Sequence, residues 1–188
     1  MSMRDRMRAG EPYIADDPQL KTDYLLAQDL LHRYNQTTAD QRTLRADLLL
    51  QLLGSCGPDV TIQPPLRADY GRYIHVGSGT FINYDCILLD TAEIRIGAKC
   101  QIAPRVSILS ATHPVAPAPR ADGWESGEPI TIGDNVWLGA GVIVLPGVTI
   151  GDNAVIGAGA VVTKDIPANV VAVGNPCRVL RTIEGAGQ

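Results

Sequence analysis

A six-residue repeat of apolar side chains constrains this chain more than any other feature. From Ile132 to Ile166 an aliphatic residue recurs at every sixth position, and a second apolar residue stands four places after each. The first set is Ile132, Leu138, Val144, Ile150, Ile156 and Val162, and the second is Val136, Val142, Val148, Ala154, Ala160 and Ile166. Gly, Asp and Asn fill many of the positions between, and they tolerate the backbone angles of tight turns. Each hexad therefore predicts a short extended segment and a turn, and three hexads predict one coil of a parallel β-helix.

The same phase continues upstream from Val76, so the coil is predicted over most of residues 60–175. It is interrupted twice, by a small slip at 91–93 and by a long segment at 109–129. The prolines of the long segment are expected to exclude a regular strand ladder there, because proline donates no backbone hydrogen bond. A loop of this length inside so economical a repeat is predicted to be functional.

Residues 1–55 differ in kind and predict a helical N-terminal extension that packs on the first coil. Apolar residues recur there at helical spacing in two stripes. The stripes are Leu20, Tyr24, Ala27, Leu30, Leu31 and Tyr34, followed by Leu44, Leu48, Leu49, Leu52 and Leu53. Pro18 suits the first turn of a helix. Two helices would shield the open end of the solenoid. The remaining residues, 56–188, are predicted to form the β-helix, with a C-terminal tail from about 168.

The composition predicts a cytoplasmic protein that binds neither nucleic acid nor membranes. The net charge is −4 without a block of like charges, which argues against a polyanionic partner. The first ten residues are charged where a secretion signal is apolar, and no apolar run is long enough to cross a bilayer. Cys86 and Cys100 fall at inward positions of the repeat, and no cysteine pair has metal-site spacing. We therefore expect no metal.

Several segments together resemble the sugar O-acetyltransferases of the hexapeptide-repeat class, in particular the maltose and galactoside acetyltransferases. They are RAGEPYIADDP, NYDCILLD, IAPRVSILSATHP, GEPITIGDNVWLG and VVTKDIPANVVAVGNPCRVLR. The resemblance implies an all-β solenoid, a left-handed parallel β-helix with an α-helical cap, although parallel connections are normally right-handed. It also implies a homotrimer that binds acetyl-CoA in the groove between two prisms and transfers the acetyl group to a sugar hydroxyl of maltose, glucose or galactoside type.

His113 is the predicted catalytic residue. It is the only histidine in the long loop, and its Thr-His-Pro context matches the catalytic motif of the family. A sugar hydroxyl is a poor nucleophile until a base takes its proton, and imidazole has an ordinary pKa close to neutral pH. Glu125 is the candidate to hold the other ring nitrogen. A solvated loop residue is the alternative interpretation for both.

The candidate acceptor-binding residues come from several parts of the chain. They are Asn83, Asp69, Asp90, Asp16, Asp17 and Trp137. The resemblance implies acceptor contacts for Asn83 and Asp69, and it implies a contact in a neighbouring site for Asp16 or Asp17. Asp90 is a candidate because some relatives have two acidic residues at this point. A turn or a helix cap is the alternative role of each aspartate. Trp137 follows an inward valine and is predicted to face outward, as a pocket wall and a trimer contact.

The candidate cofactor-binding residues lie in the C-terminal half. Ala140 and Ala158 match positions where the backbone of relatives contacts coenzyme A, and the Ala140 amide is the candidate oxyanion donor. The resemblance also implies a cationic and polar group at the nucleotide phosphates, since these phosphates are polyanionic. Its members are Thr163, Lys164, Arg178 and Arg181. The alternative interpretation is that these four residues belong to a solvated tail and do not bind the phosphates.

The predicted mechanism is a direct transfer in a ternary complex without an acyl-enzyme, because no serine or cysteine has a triad-like context. Three alternatives remain. The first is the same transfer to an antibiotic, a nodulation-type oligosaccharide or serine. The second is a zinc hydratase, although its three converging histidines are not apparent in the spacing of His32, His75 and His113. The third is a non-catalytic trimeric scaffold.

Overall fold

The computed structural model describes residues 1–185, so the last three residues of the predicted second domain lie outside the described part. The helices are α1 (Met3–Arg8), α2 (Pro18–Asn35), α3 (Arg42–Leu52) and α4 (Pro117–Ala121). The strands are β1 (Tyr13–Ile14), β2 (Ser55–Cys56), β3 (Thr61–Ile62), β4 (Leu66–Ala68), β5 (Ile74–Val76), β6 (Phe81–Ile82), β7 (Cys86–Leu89), β8 (Ile94–Ile96), β9 (Gln101–Ile102), β10 (Ser107–Leu109), β11 (Ala111–Thr112), β12 (Trp124–Gly127), β13 (Ile130–Ile132), β14 (Trp137–Leu138), β15 (Ile143–Val144), β16 (Thr149–Ile150), β17 (Val155–Ile156), β18 (Val161–Val162), β19 (Val170–Val173) and β20 (Arg178–Thr182).

Three sheets of short parallel strands form the sides of a prism. Sheet I contains β2, β5, β8, β13 and β16, sheet II contains β3, β6, β9, β14, β17 and β19, and sheet III contains β4, β7, β10, β15 and β18. The chain visits sheets I, II and III in turn, and each coil stacks on the last in register, as where Ile132 pairs with Ile96 and Ile150. The coil is left-handed. The predicted fold class is confirmed.

The hexad pattern places the core on the axis of the prism. Every apolar position of the repeat between Ile132 and Ile166 is buried. Gly139 is required at its corner, because a Cβ there would lie 2.6 Å from the amide nitrogen of Ala158 in the next coil. At another corner Asn135 and Asn153 adopt positive φ, and the side-chain amide of Asn135 donates to Oδ1 of Asn153 at 2.9 Å. The turn residues of the repeat therefore fix the corners as the aliphatics fix the core.

The N-terminal helices cover the first coil. Helix α2 begins after Asp17, whose carboxylate accepts hydrogen bonds from two amides of its first turn, and Pro18 follows at the predicted first position. Asn35 binds the backbone of Leu66 in β4 through both its side-chain nitrogen and its side-chain oxygen, each at 2.9 Å. Two members of the predicted stripes differ, because Tyr24 and Leu44 remain exposed. The buried face of each helix is therefore narrower than the spacing of its apolar residues predicts.

The long loop contains two paired strands, although its prolines were expected to exclude a regular strand ladder. Strand β11 pairs with β12, and β12 also pairs with β1 from the N-terminal segment, both in antiparallel fashion. The expectation of no ladder is wrong because the prolines lie outside these strands, in the stretch around α4 and after β12. This small sheet ties the loop to the N-terminus.

The coil ends later than the tail boundary predicted at about 168. Strand β19 still pairs with β17 in parallel, and only β20 turns back against β19. Every residue of β20 is exposed. No helix within residues 1–185 combines the length and the apolar character needed to cross a membrane.

Candidate active site

One cavity brings together three of the predicted site residues. Its volume is about 380 Å³, and it lies where the chain passes from sheet III to sheet I. His113 follows β11, Glu125 lies in β12, and Asp69 follows β4. The lining residues are Ala15, Leu20, Lys21, Tyr24, Asp69, Tyr70, Leu89, Thr91, Ala111, His113 and Glu125. The connections after β4, β7 and β10 stack on one edge of the prism, which is why residues far apart in sequence meet here.

His113 and Glu125 face each other across the cavity. The His113 side chain is 56% exposed and that of Glu125 is 19% exposed, and Nε2 lies 3.9 Å from Oε2. This distance exceeds a direct hydrogen bond, although such contacts often tighten when substrate binds. Glu125 lies opposite Tyr13 in the β1–β12 pair. The N-terminal segment thus fixes the strand that carries the carboxylate.

Asp69 is the carboxyl group of the cavity whose pKa is raised. Burial and then the nearby Glu125 carboxylate raise the pKa of Asp69 to about 6. Tyr13 is fully buried, and burial together with Glu125 raises the pKa of its hydroxyl. The cavity therefore contains one carboxyl group with a pKa of about 6, that of Asp69, beside an exposed imidazole. Perturbed groups of this kind concentrate at functional sites.

Asp90 is not at the cavity surface. It is fully buried, and its carboxylate accepts hydrogen bonds from the backbone amides of Asp69, Tyr70 and Tyr73 at 2.9–3.2 Å. Its predicted contact with an acceptor is wrong, because all these bonds hold the turn that carries Asp69. The alternative role, that of a turn residue, is the one that the structure gives it. Burial raises the pKa of Asp90 to about 7, against the opposing effect of the amides.

The two aspartates of the N-terminal segment have local partners. Asp17 caps α2, which is the alternative role considered for it. Asp16 forms an ion pair with Lys21, a residue of the cavity wall, and its own side chain is 76% exposed. A contact of either carboxylate with a neighbouring chain stays a prediction.

A second group of predicted residues lies on a different edge of the prism. Asn83, Ala140 and Ala158 all stand in connections from sheet II to sheet III. Gly139 and Gly141 donate their amides to neighbouring coils, whereas among the described residues the Ala140 and Ala158 amides donate to no backbone carbonyl. Both alanines are exposed. This edge thus offers two unused amides side by side in successive coils.

The other predicted cofactor residues are exposed and lie outside the sheet II–III edge. Thr163 and Lys164 follow β18 on the edge from sheet III to sheet I, the edge that also carries His113. Arg178 and Arg181 lie on the exposed β20. Trp137 projects outward from β14 in sheet II and is 54% exposed. Within one chain, these residues and those of the sheet II–III edge do not line the cavity of His113.

The contribution of α2 to the cavity is not evident from the sequence. Leu20, Lys21 and Tyr24 form one wall, yet their spacing indicates only a helix that packs on the coil. Helix α2 follows β1 directly in the chain, and the pairing of the two-residue β1 with β12 is not evident from the sequence. Within residues 1–185, no cluster of three or more His, Cys, Asp or Glu side chains is placed to hold a metal ion.

Replacing Asp69 with asparagine should stabilise the folded chain at high pH. The folded pKa of about 6 lies above the ordinary 3.8, so the ionised carboxylate is disfavoured in the fold. The contribution of Asp69 to stability is complete below about pH 4 and is lost as the pH rises through about 6. Asparagine resembles the protonated form, so Asp69→Asn should raise the free energy of unfolding by about 1–2 kcal/mol at pH 8, and much less near pH 4.

Urea unfolding at the two pH values measures this difference. Asp122→Asn is the matched control, because Asp122 is exposed and does not line the cavity, so no pH-dependent gain is expected there. An equal change at both pH values in Asp69→Asn would contradict the proposed burial of its charge.

Comparison with known proteins assigns the family. Residues 6–57 match the maltose acetyltransferase hexapeptide capping motif, and residues 129–164 match the bacterial transferase hexapeptide with six repeats. A maltose O-acetyltransferase from Clostridium difficile 630 is 49% identical, with a TM-score of 0.97 over 98% of both chains. A galactoside acetyltransferase solved in complex with coenzyme A is 40% identical, with a TM-score of 0.94 over 98% of this chain and 92% of that one.

A further relative is nodulation protein L of Rhizobium leguminosarum bv. viciae, which is 47% identical over 95% of this chain and 94% of its own length. These similarities extend over the helical cap, the coil and the long loop alike. They agree with the resemblance seen in the sequence. The chain therefore belongs to the maltose and galactoside O-acetyltransferase family and is an acyltransferase of the hexapeptide-repeat class.

Proposed function

We propose that this enzyme transfers an acetyl group from acetyl-CoA to a hydroxyl of a sugar of maltose, glucose or galactoside type. The observation that carries the proposal is the cavity in which the exposed imidazole of His113 lies beside the carboxyl groups of Glu125 and Asp69. The substrates named for its relatives support the same reaction. The cavity volume is in the range of small-molecule sites.

His113 acts as the general base in a single transfer step. One ring nitrogen takes the proton of the acceptor hydroxyl as the oxygen attacks the thioester carbonyl, and Glu125 holds the other nitrogen and stabilises the imidazolium. The tetrahedral intermediate then collapses, and the C–S bond breaks. The departing thiolate of CoA receives the proton from His113, which leaves an acetyl ester and a free thiol. No covalent bond to the protein forms.

The amide of Ala140 stabilises the oxyanion of the intermediate. It is exposed and unused by the backbone ladder, so it can donate to the thioester oxygen as charge develops there. The Ala158 amide offers a similar donor to the pantetheine arm one coil further along. Lys164, Arg178 and Arg181 supply positive charge for the phosphates, with Thr163 as a polar neighbour.

The active enzyme is a homotrimer with its sites between subunits. The base lies on the edge between sheets III and I, and the unused amides lie on the edge between sheets II and III. One chain binds the thioester through the amides of its sheet II–III edge. A second copy of the chain supplies His113 from its own sheet III–I edge. Closed threefold assembly joins each edge of one kind to an edge of the other kind. Asn83 then contacts the acceptor from the neighbouring chain, and Trp137 helps to form the wall and the contact.

A thiol-release assay with a panel of acceptors tests the function. Acetyl-CoA is offered with glucosides, galactosides and maltose, and in parallel with serine, an aminoglycoside antibiotic and a chitin oligosaccharide. We expect release of free CoA above the hydrolytic background with at least one of the sugars, with a sugar ester identified by mass spectrometry. Turnover only with serine or with the antibiotic would show that the acceptor is not a sugar. No turnover with any acceptor would favour a non-catalytic scaffold.

A further inference from the structure

One helix, α2, contributes three residues to the lining of the cavity. Leu20, Lys21 and Tyr24 of α2 line the same cavity as His113 and Glu125. Tyr24 belongs to the apolar stripe of the helix, yet 43% of it remains exposed. The core does not cover this aromatic side chain, although it lies on the core-facing stripe of the helix. Its contact partner is therefore either another part of the protein assembly or a ligand.

The position of Tyr24 is fixed by its neighbours. One turn earlier, Leu20 is 1% exposed and packs in a buried cluster with Tyr13 and Tyr70. Asp23 forms ion pairs with Arg4 at 3.0 Å and Arg72 at 3.5 Å, which hold the helix against the N-terminal segment and the first coil. The Asp17 cap fixes where the helix begins. The Tyr24 ring is thus attached to a rigid wall.

An exposed aromatic ring and hydrogen-bonding carboxyl groups in one cavity match the two-sided chemistry of a pyranose. Such a sugar has faces of C–H groups and a rim of hydroxyls, and C–H groups pack favourably on the electron-rich face of an aromatic ring. Carboxylates accept hydrogen bonds from the hydroxyls of the rim. A small linear alcohol offers no such face, so it gains nothing from the ring.

We propose that Tyr24 determines acceptor specificity by packing against the C–H face of a pyranose ring, with Asp69 binding the rim and His113 reaching one hydroxyl. This inference rests on the proposed sugar acetyl transfer and narrows its acceptor to ring-form sugars. The hydroxyl of Tyr24 is not required, because the flat ring makes the contact. Lys21, held by Asp16, completes the wall beside the ring.

The test compares Tyr24→Ala, Tyr24→Leu and Tyr24→Phe with the wild-type trimer. For the pyranoside that the wild type acetylates best, KM should rise roughly 5- to 30-fold in the alanine variant, less in the leucine variant, and about 2-fold or less in the phenylalanine variant. The KM for acetyl-CoA should stay unchanged. Leu25→Ala is the matched control, because Leu25 is 66% exposed on the same helix and does not line the cavity. Its acceptor KM should equal that of the wild type.

A second acceptor separates stacking from structural damage. With glycerol as a slow acceptor, Tyr24→Ala should keep the wild-type kcat/KM, so the preference for the pyranoside over glycerol falls by the same factor. The inference would be overturned if Tyr24→Ala kept the wild-type KM for the pyranoside, or if its kcat/KM with glycerol fell by the same factor as with the pyranoside. In either case, wild-type activity on the pyranoside would still uphold the proposed function. A wild type inactive on every pyranoside would overturn both. If Tyr24→Ala does not fold, Tyr24→Leu and Tyr24→Phe test the inference by the same comparison of the pyranoside with glycerol.

Discussion

Replacing His113 with alanine is expected to reduce kcat by roughly 10²- to 10⁴-fold, the range that general-base catalysis contributes. Without the imidazole, the acceptor hydroxyl attacks with its proton in place and the thiolate leaves without an acid. The side chain is 56% exposed, so its removal creates no cavity in the core. Thiol release at saturating acetyl-CoA and acceptor measures the effect.

Two measurements separate chemistry from folding in this variant. His32→Ala removes an exposed histidine from α2 that does not line the cavity, and it should keep wild-type kcat. Binding of CoA to the His113 variant, measured by calorimetry, should stay within about 2-fold of the wild type, because the proposed cofactor contacts lie on other residues. A His113→Ala enzyme with wild-type kcat would show that another group takes the proton.

The repeat made the fold predictable because each inward residue reports on the same local environment. Ile132, Leu138 and Val144 lie on the three sheets of one coil, and each is buried between aliphatic residues of the coils on either side, so a single hexad carries nearly all the information for the next. The same register put Cys86 and Cys100 in the core and left Trp137 outside it. Prediction from sequence therefore succeeded wherever structure is periodic.

The site was less predictable because its geometry depends on contacts that have no period. Nothing in the spacing of Tyr13 and Glu125 indicates that β1, which precedes α2, pairs with β12, the strand that carries Glu125. Asp90 was a candidate because some relatives have two acidic residues at this point, whereas in the structure it accepts hydrogen bonds from three amides of a neighbouring turn. His113 was identified through its motif, and its relation to Glu125 and Asp69 required coordinates.

Mixing two inactive variants should restore activity if the site is shared between subunits. His113→Ala removes the base from the edge between sheets III and I, and Ala158→Trp fills the groove on the edge between sheets II and III. Ala158 is exposed without a positive φ, so the larger side chain is tolerated by the fold. Each variant alone should be nearly inactive, because each of its sites contains one damaged edge.

In trimers formed from equal amounts of the two chains, each site draws its two edges from different subunits. In each mixed trimer, one of the three sites pairs an intact histidine edge with an intact groove, so the isolated mixed trimers should recover about one third of wild-type activity. The chains are co-expressed with different tags, and mixed trimers are isolated and verified by mass. Mixing His113→Ala with His113→Asn is the control, since both changes damage the same edge and no activity should return. Mixed trimers of the first pair that stay inactive would place the base and the groove in a single chain, because complementation requires that the reaction cross a subunit boundary.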